Sequence, residues 1–207
     1  MSHIIQNLVR RYPIISEQIE PRELAVILRE CEKALTSAQG ESSVVEFGCY
    51  EGTTSLFLQR LIMALRPEAL LHVYDSFAGL PPKTAADKSA AGEQFKPGEL
   101  KASKQAFVRH FKRAYVPLPV IHKAWFDELT PVDIPNRIIF AFLDGDYYES
   151  INDSLRLIEP KLQPNAIIVV DDYQNEALPG ARRAVDEWVE RRHLRLQAEA
   201  SLAILRF

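Results

Sequence analysis

Residues Ile138–Ser150 read IIFAFLDGDYYES, an apolar run that stops at Asp144-Gly145-Asp146 and passes into a helix-forming stretch. A run without polar alternation is the pattern of a parallel strand covered on both faces. Its abrupt end in acid puts carboxylates at the carboxyl edge of an open α/β sheet, the edge where such sheets bind ligands. Residues Ala166–Val170 repeat the pattern and deliver Asp171-Asp172. Two buried strands that both finish in acid define an anionic site, and carboxylates crowded at low dielectric need a cation or a proton to coexist.

Upstream, Ser43–Phe47 (SVVEF) reads as the first strand, and Gly48-Cys49-Tyr50-Glu51-Gly52-Thr53-Thr54 turns into a helix over Ser55–Leu65. Glycines after a strand allow positive φ and close approach of a ligand, and the helix start offers free amides. Tyr50 replaces the middle glycine of G-x-G-x-x-G, and no Lys-Ser/Thr ending follows, so a dinucleotide or triphosphate fits poorly. Leu70–Tyr74 is the next strand and ends in Asp75, an acid placed to accept from ribose hydroxyls. His72, inside it, reads as a core histidine.

The stretch 76–98 is rich in proline and glycine and longer than an ordinary crossover, which suggests a lid-like insert. A helix over Glu99–Ala114 and a short strand over Val116–Ile121 follow, and then Trp125-Phe126, which either wall a pocket or pack under a helix. Arg137–Leu143 is the fourth strand, Tyr148–Ile158 its helix, and Ala181–Glu190 the helix after the fifth strand. The tail alternates over about 193–198 and 202–206 and reads as an antiparallel hairpin added to a mostly parallel sheet. Residues 1–39 are expected to form an N-terminal segment, of which 1–16 is an arm or contacts substrate or a partner, and a helix from Pro21 to about Ala38 covers the sheet or a partner subunit. Residues 40–207 hold the α/β domain.

At 207 residues and 47% hydrophobic content the chain supports one sizeable core. Lys plus Arg is 25 against 28 Asp plus Glu, a net charge of -3 that argues against general nucleic-acid binding. With no leader-like or membrane-length apolar segment, a cytoplasmic protein with free Cys31 and Cys49 thiols is expected, and a homo-oligomer through the N-terminal segment. Cys49 belongs to the ligand loop, its thiol read as buried and inert.

Asp144 and the pair Asp171-Asp172 directly follow apolar runs, so all three are expected at one sheet edge as ligands of Mg²⁺, a hard cation suited to oxygen donors. Asp146 is read as a helix-start residue or as a support behind the metal ligands. Asp144-Gly145-Asp146 also matches the D-x-D pattern of metal-dependent glycosyltransferases, which leaves that activity, or a non-catalytic scaffold, as alternatives.

Four segments in order, Glu46–Ser55, His72–Pro81, Phe142–Ser150 and Val169–Trp188, together resemble the macrocin O-methyltransferase family of sugar methyltransferases. The resemblance implies a Rossmann-like class I methyltransferase fold, with a mostly parallel seven-stranded sheet and a C-terminal antiparallel hairpin. It also implies S-adenosylmethionine as methyl donor and Mg²⁺ as activator. Glu46, Gly48, Cys49, Tyr50, Gly52 and Thr53 would then hold the donor, with Asp75, Ser76, Trp125 and Asp144. Asp144, Asp171 and Asp172 match the metal ligands, and Asp144 the general base. The expected acceptor is a small molecule with vicinal hydroxyls, on a sugar or a catechol-like ring.

Overall fold

In chain order the elements are α1 (His3–Arg11), α2 (Pro21–Ser37), β1 (Ser43–Phe47), α3 (Thr53–Leu65), β2 (Leu70–Asp75), α4 (Lys104–Arg113) and β3 (Val120–Lys123). Then follow β4 (Ile138–Leu143), α5 (Tyr148–Ile158), β5 (Leu162–Val170), α6 (Pro179–Arg192), β6 (Leu196–Glu199) and β7 (Leu202–Arg206). They are seen in a computed structural model that describes residues 1–92 and 94–207; position 93 of the insert lies outside the described residues. One seven-stranded sheet runs β3-β2-β1-β4-β5-β7-β6. Its first five strands pair in parallel, and β7 runs antiparallel to both β5 and β6. The parallel core with a terminal hairpin is therefore the architecture expected from the apolar runs.

All six residues of β4 are buried, because successive side chains feed two different layers. Phe140 and Phe142 join Val44, Val73 and Val169 under α2 and α3, along with Leu24, Leu28, Phe57 and Phe107. Ala141 and Leu143 face the other way, with Val45, Phe47 and Ile168, toward Ile151 and Leu155 of α5 and Val185 and Trp188 of α6. Truncating a residue such as Phe140, which is fully buried, to alanine costs about 3–5 kcal/mol for a core of this kind.

The chain leaves β3 at one edge and re-enters at β4 on the far side of β1. The strand order thus reverses between β1 and β4, and a ligand crevice forms outside the strand ends at such a point. Those two strands carry the glycine loop and Asp144.

Three local expectations shift. Residues 3–11, read as an irregular arm, form α1, capped by Ser2, whose Oγ accepts from the Ile5 amide at 3.3 Å. Ile5 is fully buried, and α1 and α2 pack on their own sheet, so α2 covers the sheet of its own chain. Helix α4 begins at Lys104 rather than Glu99, since Leu100 holds a left-handed φ of 52° and Ser103 supplies the cap. Strand β3 starts at Val120 because Pro117 and Pro119 have no amide for the ladder. Among the described residues no helix is long and apolar enough to cross a membrane.

Candidate active site

A cavity of about 600 Å³ opens at the carboxyl edge of the sheet, over the tips of β1, β2, β4 and β5. At each tip a non-glycine residue takes a left-handed conformation: Tyr50 (φ 45°), Phe77 (φ 53°), Asp146 (φ 60°) and Asp172 (φ 57°). Such conformations are strained and gather at functional sites. Here they turn the chain sharply out of buried strands and aim backbone and carboxylates at one space.

Gly48, at φ 82°, is required where β1 meets β4, since a Cβ there would lie 1.9 Å from the carbonyl oxygen of Asp144. The close approach brings the β1 loop against the acid-bearing tip of β4. Asp75 ties the same loop down: its Oδ2 accepts from the amides of Cys49 (2.9 Å) and Tyr50 (3.1 Å), and its Oδ1 from Phe77 (2.6 Å). Of the roughly four acceptor positions on a carboxylate, three are in use, so the expected pair of ribose contacts reduces to one position on Oδ1.

Of the expected residues, Gly48, Tyr50, Asp75, Ser76, Trp125, Asp144, Asp171 and Asp172 line the cavity. Glu46, Cys49, Gly52 and Thr53 lie beneath that surface. Glu46 is 1% exposed; its Oε2 accepts from the Ser55 hydroxyl while its Oε1, like the Thr53 Oγ1, has no partner. Burial, and after it the Asp75 charge, outweigh the Ser55 bond and push the Glu46 carboxyl up to about 8. Burial and the neighbouring carboxylates of Asp75 and Glu46 push the Cys49 thiol well above its ordinary value, which leaves it unreactive.

One carboxylate oxygen from each of Asp144, Asp146 and Asp172 lies within 4.8 Å of the other two. Asp146, read from the sequence as a helix start or as a support behind the metal ligands, is thus brought into the cluster by its left-handed turn. Asp171 is more buried, at 8% exposure, and its Oδ1 accepts from the Asp172 amide at 2.9 Å. Asp172 is held by Asn175, whose side-chain amide donates to its Oδ1 at 2.8 Å. Burial, then repulsion from Asp171, Asp146 and Asp172, drives the Asp144 carboxyl well upward. Burial and Asp172 do the same to Asp146 and Asp171. Asp172 rises to about 6, by burial and by Glu23, against the Asn175 hydrogen bond.

Among the described residues no lysine, arginine or histidine lines the cavity. An all-oxygen, all-acid donor set of this kind fits a hard divalent cation, which would remove the mutual repulsion. The unpartnered Glu46 oxygen under the loop leaves a buried hydrogen-bonding position beside the Gly48 loop.

With that geometry, the family model for macrocin O-methyltransferase (TylF) matches residues 18–200. The chain belongs to this family. It is an enzyme of the S-adenosylmethionine-dependent O-methyltransferase class, so Asp144-Gly145-Asp146 serves a methyltransferase rather than a glycosyltransferase. Among its relatives is a tetracenomycin-C 4'-O-methyltransferase acting on an 8-demethyl-8-(2,3-dimethoxy-alpha-L-rhamnosyl) compound, from Streptomyces olivaceus, 26% identical over 87% of this chain and 70% of that protein. Mycinamicin III 3''-O-methyltransferase of Micromonospora griseorubida is 25% identical over 87% of this chain and 73% of its own. The O-methyltransferase NovP superposes with a TM-score of 0.80 at 22% identity, covering 99% of this chain and 88% of that one.

Sequence reasoning missed three groups that build the methyltransferase cavity. Glu17, Gln18 and Glu23 reach it from the N-terminal segment. Tyr147 lines it and donates its hydroxyl to the Phe95 carbonyl at 2.9 Å, holding the insert. Asp87, inside the insert, is 1% exposed. A lone aspartate in a proline-rich loop carries no local sign of such burial.

Proposed function

We propose that the methyltransferase moves a methyl group from S-adenosylmethionine to one hydroxyl of a vicinal diol, on a sugar-like natural product, with Mg²⁺ as activator. The observation that carries this reading is the convergence of Asp144, Asp146 and Asp172 at the β1/β4 switch point, in a cavity whose described lining has no basic side chain. When bound, the donor would supply an electrophilic methyl group and the cation would act as a Lewis acid on the acceptor.

Asp144 and Asp172 would hold the cation, with Asp171 adding charge behind them. Asp75 would bind the donor's ribose through its remaining Oδ1 position, and the Gly48 loop would pass beside the methionine part. Trp125 and Tyr147 wall the cavity and exclude water. Asp146 would take the proton of the acceptor hydroxyl as that oxygen receives the methyl group. This moves the base role expected of Asp144 to Asp146, because a carboxylate engaged by a cation is the poorer base. Loss of the sulfonium charge favours reaction in a cavity that sheds water.

The acidic lining also favours a neutral or amine-bearing acceptor over a phosphorylated one, since like charges disfavour an anion. The test is methyl transfer from labelled S-adenosylmethionine to a panel of vicinal diols and their mono-deoxy analogues, with Mg²⁺ or with chelator. Transfer confined to diols and lost with chelator is expected. Equal transfer to mono-deoxy acceptors, or indifference to chelator, would overturn the reading.

A further inference from the structure

Asp87 lies in the insert, far in sequence from the clustered carboxylates of Asp144, Asp146 and Asp172, yet its carboxylate is wedged between the starts of the helices that follow the two acid-bearing strands. Its Oδ1 accepts from the amide of Tyr148, the first residue of α5, at 2.7 Å. Its Oδ2 accepts from the Thr84 amide and hydroxyl, each at 2.8 Å, which closes a short 3-10 turn and orients the carboxylate. Tyr147, the residue that precedes α5, has no capping side chain of its own. The insert supplies the cap across 61 residues of sequence. A carboxylate there satisfies an orphan donor and sits at the positive end of the helix dipole.

The other side of the wedge is Gly180, in the first turn of α6. A Cβ at that position would lie 1.9 Å from Asp87 Oδ1 and 2.7 Å from the Tyr148 amide nitrogen. The residue is thus glycine where the carboxylate needs the room. Helix α5 starts two residues after Asp146. Helix α6 is reached from Asp172 through Asn175, which donates to Asp172 and whose Oδ1 accepts from the Ala177 amide at 3.0 Å. Asp87 therefore touches the starts of both helices whose preceding turns carry the clustered carboxylates.

β4 and β5 are paired up to Leu143 and Val170, so the sheet fixes the distance between the strand ends, and we propose that Asp87 is a positioning residue that holds the turns leaving those ends, at Asp146 and Asp172, and so makes divalent-cation binding depend on the docked insert. This rests on the cation reading of the site. The donor loop is held separately, by Asp75 on the amides of Cys49 and Tyr50, so donor affinity is independent of Asp87. Residues that orient metal ligands from behind typically change metal affinity by about 10–100-fold when lost.

The test uses the full chain, with Mn²⁺ as cation probe and S-adenosylhomocysteine as donor-site probe, both by calorimetry. Asp87→Ala is expected to weaken Mn²⁺ binding at least about tenfold and to change S-adenosylhomocysteine binding by less than about threefold. The Tyr148 amide should exchange hydrogen faster in the same variant. Asp87→Asn keeps an acceptor for Tyr148 but not both Thr84 contacts, and is expected to fall between. If Asp87→Ala fails to fold, the Asn variant decides. Glu30→Gln, in an ion-pair cluster outside the cavity, serves as a destabilised control with Mn²⁺ affinity unchanged.

Mn²⁺ affinity within twofold of wild type in the folded Asp87 variants, an equal loss of S-adenosylhomocysteine binding, or an equal Mn²⁺ loss in Glu30→Gln would overturn the inference. A wild-type chain that binds neither probe would instead overturn the proposed function.

Discussion

Glu30 on α2 and Asp144 at the tip of β4 are both carboxylates taken out of water, and the fold treats them in opposite ways. Glu30 is fully buried and accepts from Arg29 (2.9 Å), Lys33 (2.7 Å) and Arg206 (3.0 Å), the last from β7. Burial pushes its carboxyl up, but the bonds from Lys33, Arg29 and Arg206 prevail and hold it below its ordinary 4.5. Asp144 has neighbours of its own sign and is driven upward by burial and by Asp171, Asp146 and Asp172. Where a buried charge serves the architecture, the chain brings its own cations. At Asp144 none of the described residues supplies such a cation, and the proposed function leaves the counter-charge to a bound ion.

The comparison breaks first, if it breaks at all, at the cluster. Asp144→Ala and Asp172→Ala are each expected to lower kcat/KM about 10³-fold, several kcal/mol of lost stabilisation. The same variants should raise the melting temperature of the chelator-treated protein, because they remove repulsion. A fall in melting temperature would mean that the cluster is held together like Glu30. Asp146→Asn comes next: kcat is expected to drop about 10²–10³-fold, as for loss of a general base, while calorimetric Mn²⁺ binding stays within a few-fold. Lost Mn²⁺ binding would return Asp146 to the ligand set.

Glu30→Gln should sharpen the contrast from the other side. A loss of about 1–2 kcal/mol in urea unfolding is expected, with kcat/KM per folded molecule unchanged. An active-site effect would show that the two carboxylates are coupled through α2. The smallest effect concerns pH. The Glu46 carboxyl stands at about 8 in the fold against an ordinary 4.5, so between those values the unfolded chain releases a proton that the folded chain keeps. Its stabilisation is full below 4.5 and is lost as pH rises to about 8. Unfolding of Glu46→Gln across that window should show a flatter pH dependence than wild type, and an identical slope would remove Glu46 as its source.

Much of this architecture was legible before any coordinates. The unbroken apolar runs of β4 and of Ala166–Val170 in β5 read as doubly covered strands because both faces of the sheet are in fact layered with helices. Pro21 marked the start of α2, and the alternating tail marked the hairpin. Helix α1 was obscured because Ile4, Ile5, Leu8 and Val9 span barely two turns, too short for a period to stand out, and its stability comes from packing on the core. The start of α4 was misread because nothing in KPGELKAS announces the left-handed Leu100.

What the sequence by itself determined is whatever lies within one element and its turn: a buried strand, the acid at its end, the glycines after β1 and the family pattern they compose. Covalent neighbours share an environment, so their periodicity reports it directly. The tertiary structure decided which acids converge. The left-handed turns at Asp146 and Asp172 bring their carboxylates together with Asp144, while Asp171 turns back onto an amide. It also decided that Asp87 reaches the start of α5 across 61 residues. Contacts of that length depend on how the starts of two helices far apart in sequence are packed together and on the space left by a glycine, and no local pattern encodes either.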